Sequence, residues 1–170
     1  MQFLKKIVRP IVVVLGLLIG GIVILFGYQD LPLETLKETY ANTESQFMAL
    51  EGMEVHYRDE GPMTDSIPIV LIHGTGASLH TFDDWTYSLS KYRRVLRMDL
   101  PAYGLTGPFM DRNYSTQHYV AFIAAFLEKL GVEHCVLAGN SLGGKIAWNF
   151  TSAYPGRVDR LVLIDASGYP

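Results

Sequence analysis

Apolar residues recur along this chain in three rhythms, and each predicts a different kind of element. Residues 10–27 (PIVVVLGLLIGGIVILFG) carry no charged or strongly polar side chain. A helix rises about 1.5 Å per residue and a bilayer's hydrocarbon core is about 30 Å thick, so this run with its flanks is long enough to span. Residues 46–50 and 53–58 are short and strand-like, and Glu51-Gly52 between them predicts a hairpin turn. After Gly61-Pro62 the pattern changes again. Residues 67–72 (IPIVLI), 135–138 (CVLA) and 161–164 (LVLI) are apolar without alternation, with 95–98 (VLRM) a weaker member of the set. Such runs belong to strands covered on both faces, and therefore to a parallel sheet between helical layers.

The segments between these runs have helical character. Residues 79–90 fill the first gap, 116–130 the second and 142–154 the third. In the second, Val120, Ile123, Leu127 and Leu130 recur at helical spacing on one stripe. The third stops before Pro155-Gly156, which cannot continue a helix. The alternation predicts an α/β fold: a three-layer αβα sandwich with a mostly parallel sheet, preceded by one transmembrane helix.

Charge orients that first helix. Lys5, Lys6 and Arg9 precede the apolar run, whereas Asp30 and Glu34 follow it. Basic flanks stay cytoplasmic, so the N-terminus is expected inside and everything after Tyr28 outside the cytoplasm, periplasmic or extracellular. A secretory signal has an apolar region of about 7–15 residues and ends at a small-x-small site. This run is longer, and residues 26–30 (FGYQD) offer no such site, which favours an uncleaved signal anchor over a cleaved signal. The expected order is then a basic tail at 1–9, the anchor at 10–27, a polar stalk at 28–44 with a helical hint at 33–40, and the α/β domain at 45–170. Gly16 and Gly20 form a GxxxG pair that lets two membrane helices approach; glycine is common in such helices anyway, so the pair is a weak pointer to dimerisation.

The chain has 170 residues and a net charge of -3, enough for one soluble domain and unsuited to a nucleic-acid surface. The expected partner is a small molecule. Cys135 is the only cysteine, so neither an intramolecular disulfide nor a Cys/His metal cluster can be built from it; flanked by His134, Val136 and Leu137, it reads as a buried, inert thiol.

In parallel α/β sheets reactive groups gather at the carboxyl ends of the strands. Three such ends stand out. Gly139-Asn140-Ser141-Leu142-Gly143-Gly144 places G-x-S-x-G between a strand and a helix. A tight reversal there forces the serine into a strained backbone with its hydroxyl exposed at a helix N-terminus, and glycines at 139 and 143 let strand and helix approach. The bland alternative is a glycine-rich turn capped by serine. His73-Gly74-Thr75-Gly76-Ala77-Ser78 follows the strand at 67–72, where its backbone can turn an N–H towards Ser141. An acyl-transfer intermediate needs two preorganised donors; they are assigned to the N–H groups of Leu142 and Thr75, with Gly76 as fallback for the second. His73 reads as a loop brace rather than a base. Asp99-Leu100-Pro101-Ala102-Tyr103-Gly104 reads as a structural turn that walls the pocket.

Taken together, the HGTGAS loop, the DLPAYG turn, the GNSLGG elbow and the closing LVLIDASGYP resemble the α/β-hydrolase superfamily. They look closest to its small-molecule branch of meta-cleavage-product hydrolases and related esterases. The resemblance covers residues 47–170. It implies Ser141 as nucleophile, since the dehalogenase and epoxide-hydrolase relatives use aspartate there, and it implies no metal or organic cofactor. Ala102 departs from the usual glycine of D-x-P-G-x-G. The family's triad runs Ser, then Asp or Glu, then His, yet His56, His73, His80, His118 and His134 all precede Ser141. Asp165, ending its own strand, can be the acid of relatives that place it there, or a structural turn residue. The base, and with it the lid, is expected beyond residue 170, so the chain reads as a truncated part of a hydrolase and is expected to be nearly inactive by itself. The reading is a membrane-anchored serine hydrolase of an ester, thioester or activated C–C bond. The alternative is a non-catalytic, membrane-tethered domain that binds a small apolar ligand.

Overall fold

The computed structural model describes residues 2–27 and 31–169, with side chains from Val8 onward. The side chains of Lys5 and Lys6, stalk residues 28–30 with Asp30, and Pro170 lie outside the described residues. The chain forms two compact units, Met1–Thr35 and Leu36–Pro170.

In the first unit, α1 (Gln2–Phe26) contains a 19-residue stretch, Val8–Phe26, of mean hydropathy 2.6, none of it buried. A helix apolar on every side and uncovered by its own chain is long and apolar enough to cross a bilayer. Among the described residues, and apart from the helix's own backbone, no atom lies within 4 Å of the place a β-carbon would take at Gly16 or Gly20. Next in the chain is α2 (Leu33–Tyr40), at the segment expected to have a helical hint; the division between the units falls within it.

In the second unit, β1 (Ser45–Leu50) and β2 (Met53–Glu60) form the expected antiparallel hairpin. Next come β3 (Ile69–Ile72), a 3₁₀ turn (Leu79–Phe82) running into α3 (Asp83–Leu89), and β4 (Val95–Met98). They are followed by α4 (Thr116–Lys129), β5 (Cys135–Asn140), α5 (Leu142–Ala153) and β6 (Val158–Ile164). The six strands lie in the order β1-β2-β4-β3-β5-β6, with β4, β3, β5 and β6 parallel and the hairpin antiparallel at one edge.

Successive strand side chains point to opposite faces, and two apolar clusters divide along that rule. On one face Val70, Ile72, Leu96, Met98 and Leu137 pack with Phe122 and Phe126 of α4 and Ile146 and Phe150 of α5. On the other, Leu71, Val95 and Ala138 pack with Phe82 and Leu89. This is the three-layer arrangement. Each fully buried aromatic or aliphatic side chain contributes about 1.5–3 kcal/mol by leaving water.

Two expectations need adjustment. The first inter-strand helix is split, because the chain tightens into a 3₁₀ turn before α3. And β6 is not covered on both faces: it stands at the edge of the described sheet, none of its residues is fully buried, and Val162 is 40% exposed. Continuous apolarity reports the strand, but coverage depends on what packs there.

Candidate active site

Ser141 joins β5 to α5 with φ 51° and ψ −111°, a conformation that L-residues other than glycine rarely adopt. The surroundings over-determine it. Its N–H donates to the Ile164 carbonyl at 3.0 Å, and its carbonyl accepts from Lys145 and Ser167. It occupies the N-cap of α5, yet its side chain makes no capping bond. Instead Oγ sits half-buried, 3.4 Å from Ser167 Oγ. A serine whose only role is to cap would turn that oxygen onto the helix N–H groups. Here the hydroxyl is left outside them.

Close packing explains the glycines. A β-carbon on Gly143 would collide with the Ile72 carbonyl oxygen and lie 2.5 Å from that of His73; one on Gly139 would collide with the Gly143 carbonyl. Backbone cannot yield as a flexible side-chain tip can. The loop after β3 also presses on the turn, since a β-carbon on Gly74 would lie 2.9 Å from Asn140 Oδ1 and 3.2 Å from Ser141 Cβ. Asn140 in turn donates to Ile164 O at 3.2 Å, tying β5 to β6.

Leu142 and Thr75 line one open pocket of about 550 Å³, together with Ala102, Tyr103, Tyr114 and Tyr119. Leu142 is the first residue of α5, and the first N–H groups of a helix have no intrahelical acceptor. Burial, reinforced by Tyr103 and Tyr114, pushes the Tyr119 phenol up to about 12, so it stays neutral; its O–H donates to Pro101 O at 3.3 Å. Gly76, at φ 69°, lines another pocket of about 470 Å³ with Tyr40, Ala77 and Leu105. Leu142 and Thr75 thus line the same pocket, while Gly76, next in the chain to Thr75, lines the other.

His73 is fully buried and both ring nitrogens are engaged. Nδ1–H donates to Gly74 O at 2.8 Å, and Nε2 accepts from the Leu100 N–H at 3.0 Å. Burial lowers its pKa, opposed by the Gly74 hydrogen bond and the Asp99 charge, so the neutral form holds the two strand-end loops together. Asp99 is likewise a brace, accepting from the Leu79 and Leu105 N–H groups and from His56. Ala102 keeps a left-handed φ of 70° despite its β-carbon, so the DLPAYG turn retains the shape that glycine would give it.

Asp165 is exposed at φ 46°, and no described residue engages its carboxylate. The five histidines are all occupied away from Ser141: His56 by Asp99 and Ser45, His73 as above, His80 by Asp83, His118 by Asn113, and His134 beside Asp159. The DLPAYG turn supplies Tyr103 to the pocket wall, as expected, but sequence reasoning missed Ser167, Tyr114 and Tyr119. Ser167 meets Ser141 only because β6 pairs with β5, and Tyr114 and Tyr119 carry no motif that would join them to Tyr103.

Comparison with known proteins agrees with this architecture. The profile of the alpha/beta hydrolase fold matches residues 67–170. The chain is 34% identical over 134 residues to the 2-hydroxy-6-oxo-2,4-heptadienoate hydrolase of Pseudomonas putida, covering 76% of this chain and 48% of that one. It is 32% identical over 109 residues to the human (lyso)-N-acylphosphatidylethanolamine lipase, covering 62% of this chain and 32% of the lipase. Among solved structures, a membrane phospholipase A superposes with TM-score 0.72 at 26% identity, over 98% of this chain and 53% of that one. A meta-cleavage product hydrolase of Pseudomonas fluorescens superposes with TM-score 0.67 at 31% identity, over 75% and 47%. The chain thus spans about half the length of the first curated relatives it matches. With a sheet that runs parallel beyond its N-terminal hairpin, a glycine-walled serine turn at β5 and a profile match over most of the domain, this chain belongs to the α/β-hydrolase fold family.

Proposed function

We propose that this chain is the nucleophile-bearing part of a membrane-anchored serine hydrolase that cleaves acyl esters or thioesters. The observation that carries the reading is the backbone of Ser141, held at φ 51° with its hydroxyl unused for capping. Ser141 Oγ attacks the acyl carbon. The N–H groups of Leu142 and Thr75, which share a pocket, stabilise the oxyanion, and the N-terminus of α5 adds its partial positive charge. Gly139, Asn140, Gly143 and Gly144 hold the turn. In the family's chain order the acid and the imidazole base follow the nucleophile, and the base belongs to the part of the relatives' length that is not matched here. Asp165 is a weaker choice of acid.

Residues 10–27 are the anchor, with the N-terminus cytoplasmic and the domain on the other side. Ester substrates, lipid esters foremost, are preferred to C–C substrates, supported by the likeness to a membrane phospholipase A that extends through the apolar helix. A second reading, a tethered domain that binds an apolar ligand without turnover, is supported by the absence of any histidine among the described partners of Ser141.

A fluorophosphonate probe separates the two. The hydrolase reading expects an adduct on Ser141 that is lost in Ser141→Ala, slow in this chain and fast once the remaining length of a relative is supplied. A folded chain never labelled at Ser141, even with that length, refutes it. Topology is read from a reporter fused after residue 40; activity only in the cytoplasm refutes the orientation.

A further inference from the structure

Away from Ser141, the fold assembles a second serine-histidine-aspartate relay from segments that share no motif. Ser45 opens β1, His56 lies on β2 opposite Phe47, two residues along from Ser45 in the hairpin, and Asp99 follows β4. Ser45 Oγ is 2.8 Å from His56 Nε2, and His56 Nδ1 is 2.7 Å from Asp99 Oδ2. The ring is fully buried and stacked on Phe47 at 5.0 Å, so its orientation is fixed. Asp99 is fixed as well, by the Leu79 and Leu105 N–H groups at 2.8 Å each. Burial works to raise its pKa, but the hydrogen bonds from His56, Leu105 and Leu79 outweigh it and hold the carboxyl below the ordinary range.

The hydroxyl itself is tuned from three sides. The Ser45 O–H has one proton and two acceptors in reach, and His56 Nε2 is closer than Asn42 Oδ1 at 3.2 Å. Two donors point at the same oxygen, the Asn42 N–H at 3.1 Å and Arg58 Nε at 3.4 Å. These donors fix the position of the oxygen, and the imidazole within reach of its proton is the general base that activates a serine as nucleophile. Access exists too. Ser45 is half-buried, and Asn42 and Arg58 line an open pocket of about 600 Å³ with Tyr40 and Tyr87.

We propose that Ser45 is a second nucleophile of this chain, with His56 as its base, Asp99 as the group that orients the base, and a small activated acyl ester as its substrate class. Ser45 Oγ bonds to the acyl carbon while its proton moves to His56 Nε2. The ester C–O bond breaks, and the alcohol leaves with that proton. Water, deprotonated by His56, then releases the acid and restores the serine.

The site does not depend on Ser141, so the test removes that residue. Full-length Ser141→Ala in detergent is treated with a small alkyl fluorophosphonate, whose P–F bond breaks as Oγ–P forms, and the adduct is located by peptide mass mapping. The expected adduct lies on Ser45, vanishes in Ser45→Ala, and forms at least about 100-fold more slowly in His56→Gln, the scale of a lost general base. Circular dichroism establishes the fold of each variant. Because His56 is buried, Ser45→Ala at its half-exposed position decides alone if His56→Gln fails to fold. A folded Ser141→Ala with no Ser45 adduct, or an unchanged rate in folded His56→Gln, overturns the proposal.

Discussion

Replacing Ser141 by glycine is expected to stabilise the protein while destroying its proposed nucleophile. The native residue carries a β-carbon at φ 51°, ψ −111°, and a non-glycine residue in so sparsely populated a region costs about 1–3 kcal/mol. Glycine removes that strain but loses more backbone entropy on folding, a cost of about 0.5–1 kcal/mol. The side-chain contact given up is a single 3.4 Å approach to Ser167 Oγ, which weighs little. The balance is a net gain of about 1 kcal/mol. For a unit spanning Leu36–Pro170 this corresponds to a rise in Tm of about 4 °C. Ser141→Ala is the control, because it removes the hydroxyl and keeps the β-carbon, and it should show no such gain. Thermal and denaturant unfolding of the full chain in detergent, followed by far-UV circular dichroism, compares the three. If Ser141→Gly is no more stable than Ser141→Ala, the turn stores no strain, and the physical argument for an over-determined nucleophile falls.

Further outcomes follow from other parts of the domain. Gly143→Ala should destabilise by about 3 kcal/mol, since its β-carbon would collide with the Ile72 backbone and β5 and α5 would have to separate; unfolding within about 0.5 kcal/mol of wild type would contradict the close approach. Acid should act in two stages. The pKa of His73 is lowered in the folded state, so the unfolded chain takes up the proton first and stability declines as pH falls below about 6.5 towards that lowered value. Asp99 is also lowered, so its contribution is present above about pH 3.9 and is lost only as pH falls through its folded value. Denaturation midpoints between about pH 7.5 and pH 5.5 should slope less steeply in His73→Gln than in wild type, and equal slopes would remove His73 from the first stage. Cys135 is 1% exposed and burial raises its thiol to about 11, so it should resist alkylation at about pH 8 until the domain unfolds; rapid native reaction would be inconsistent with a packed thiol.

The sequence determined which segments would be strands and helices, because each depends on a local period. Unbroken apolar runs marked β3, β5 and β6, and the stripe of Val120, Ile123 and Leu127 marked the buried face of α4. The turn at 139–144 was legible for a related reason: a reversal that tight admits few residue types. What the chain could not disclose were the meetings between segments. Ser167 against Ser141, His56 between Ser45 and Asp99, and Gly76 on a different pocket from Thr75 all depend on strand order and on which way a loop turns after its strand. Those are set by packing across the whole sheet, where the free energy belongs to pairs of residues distant in sequence. No window of neighbouring residues contains that information.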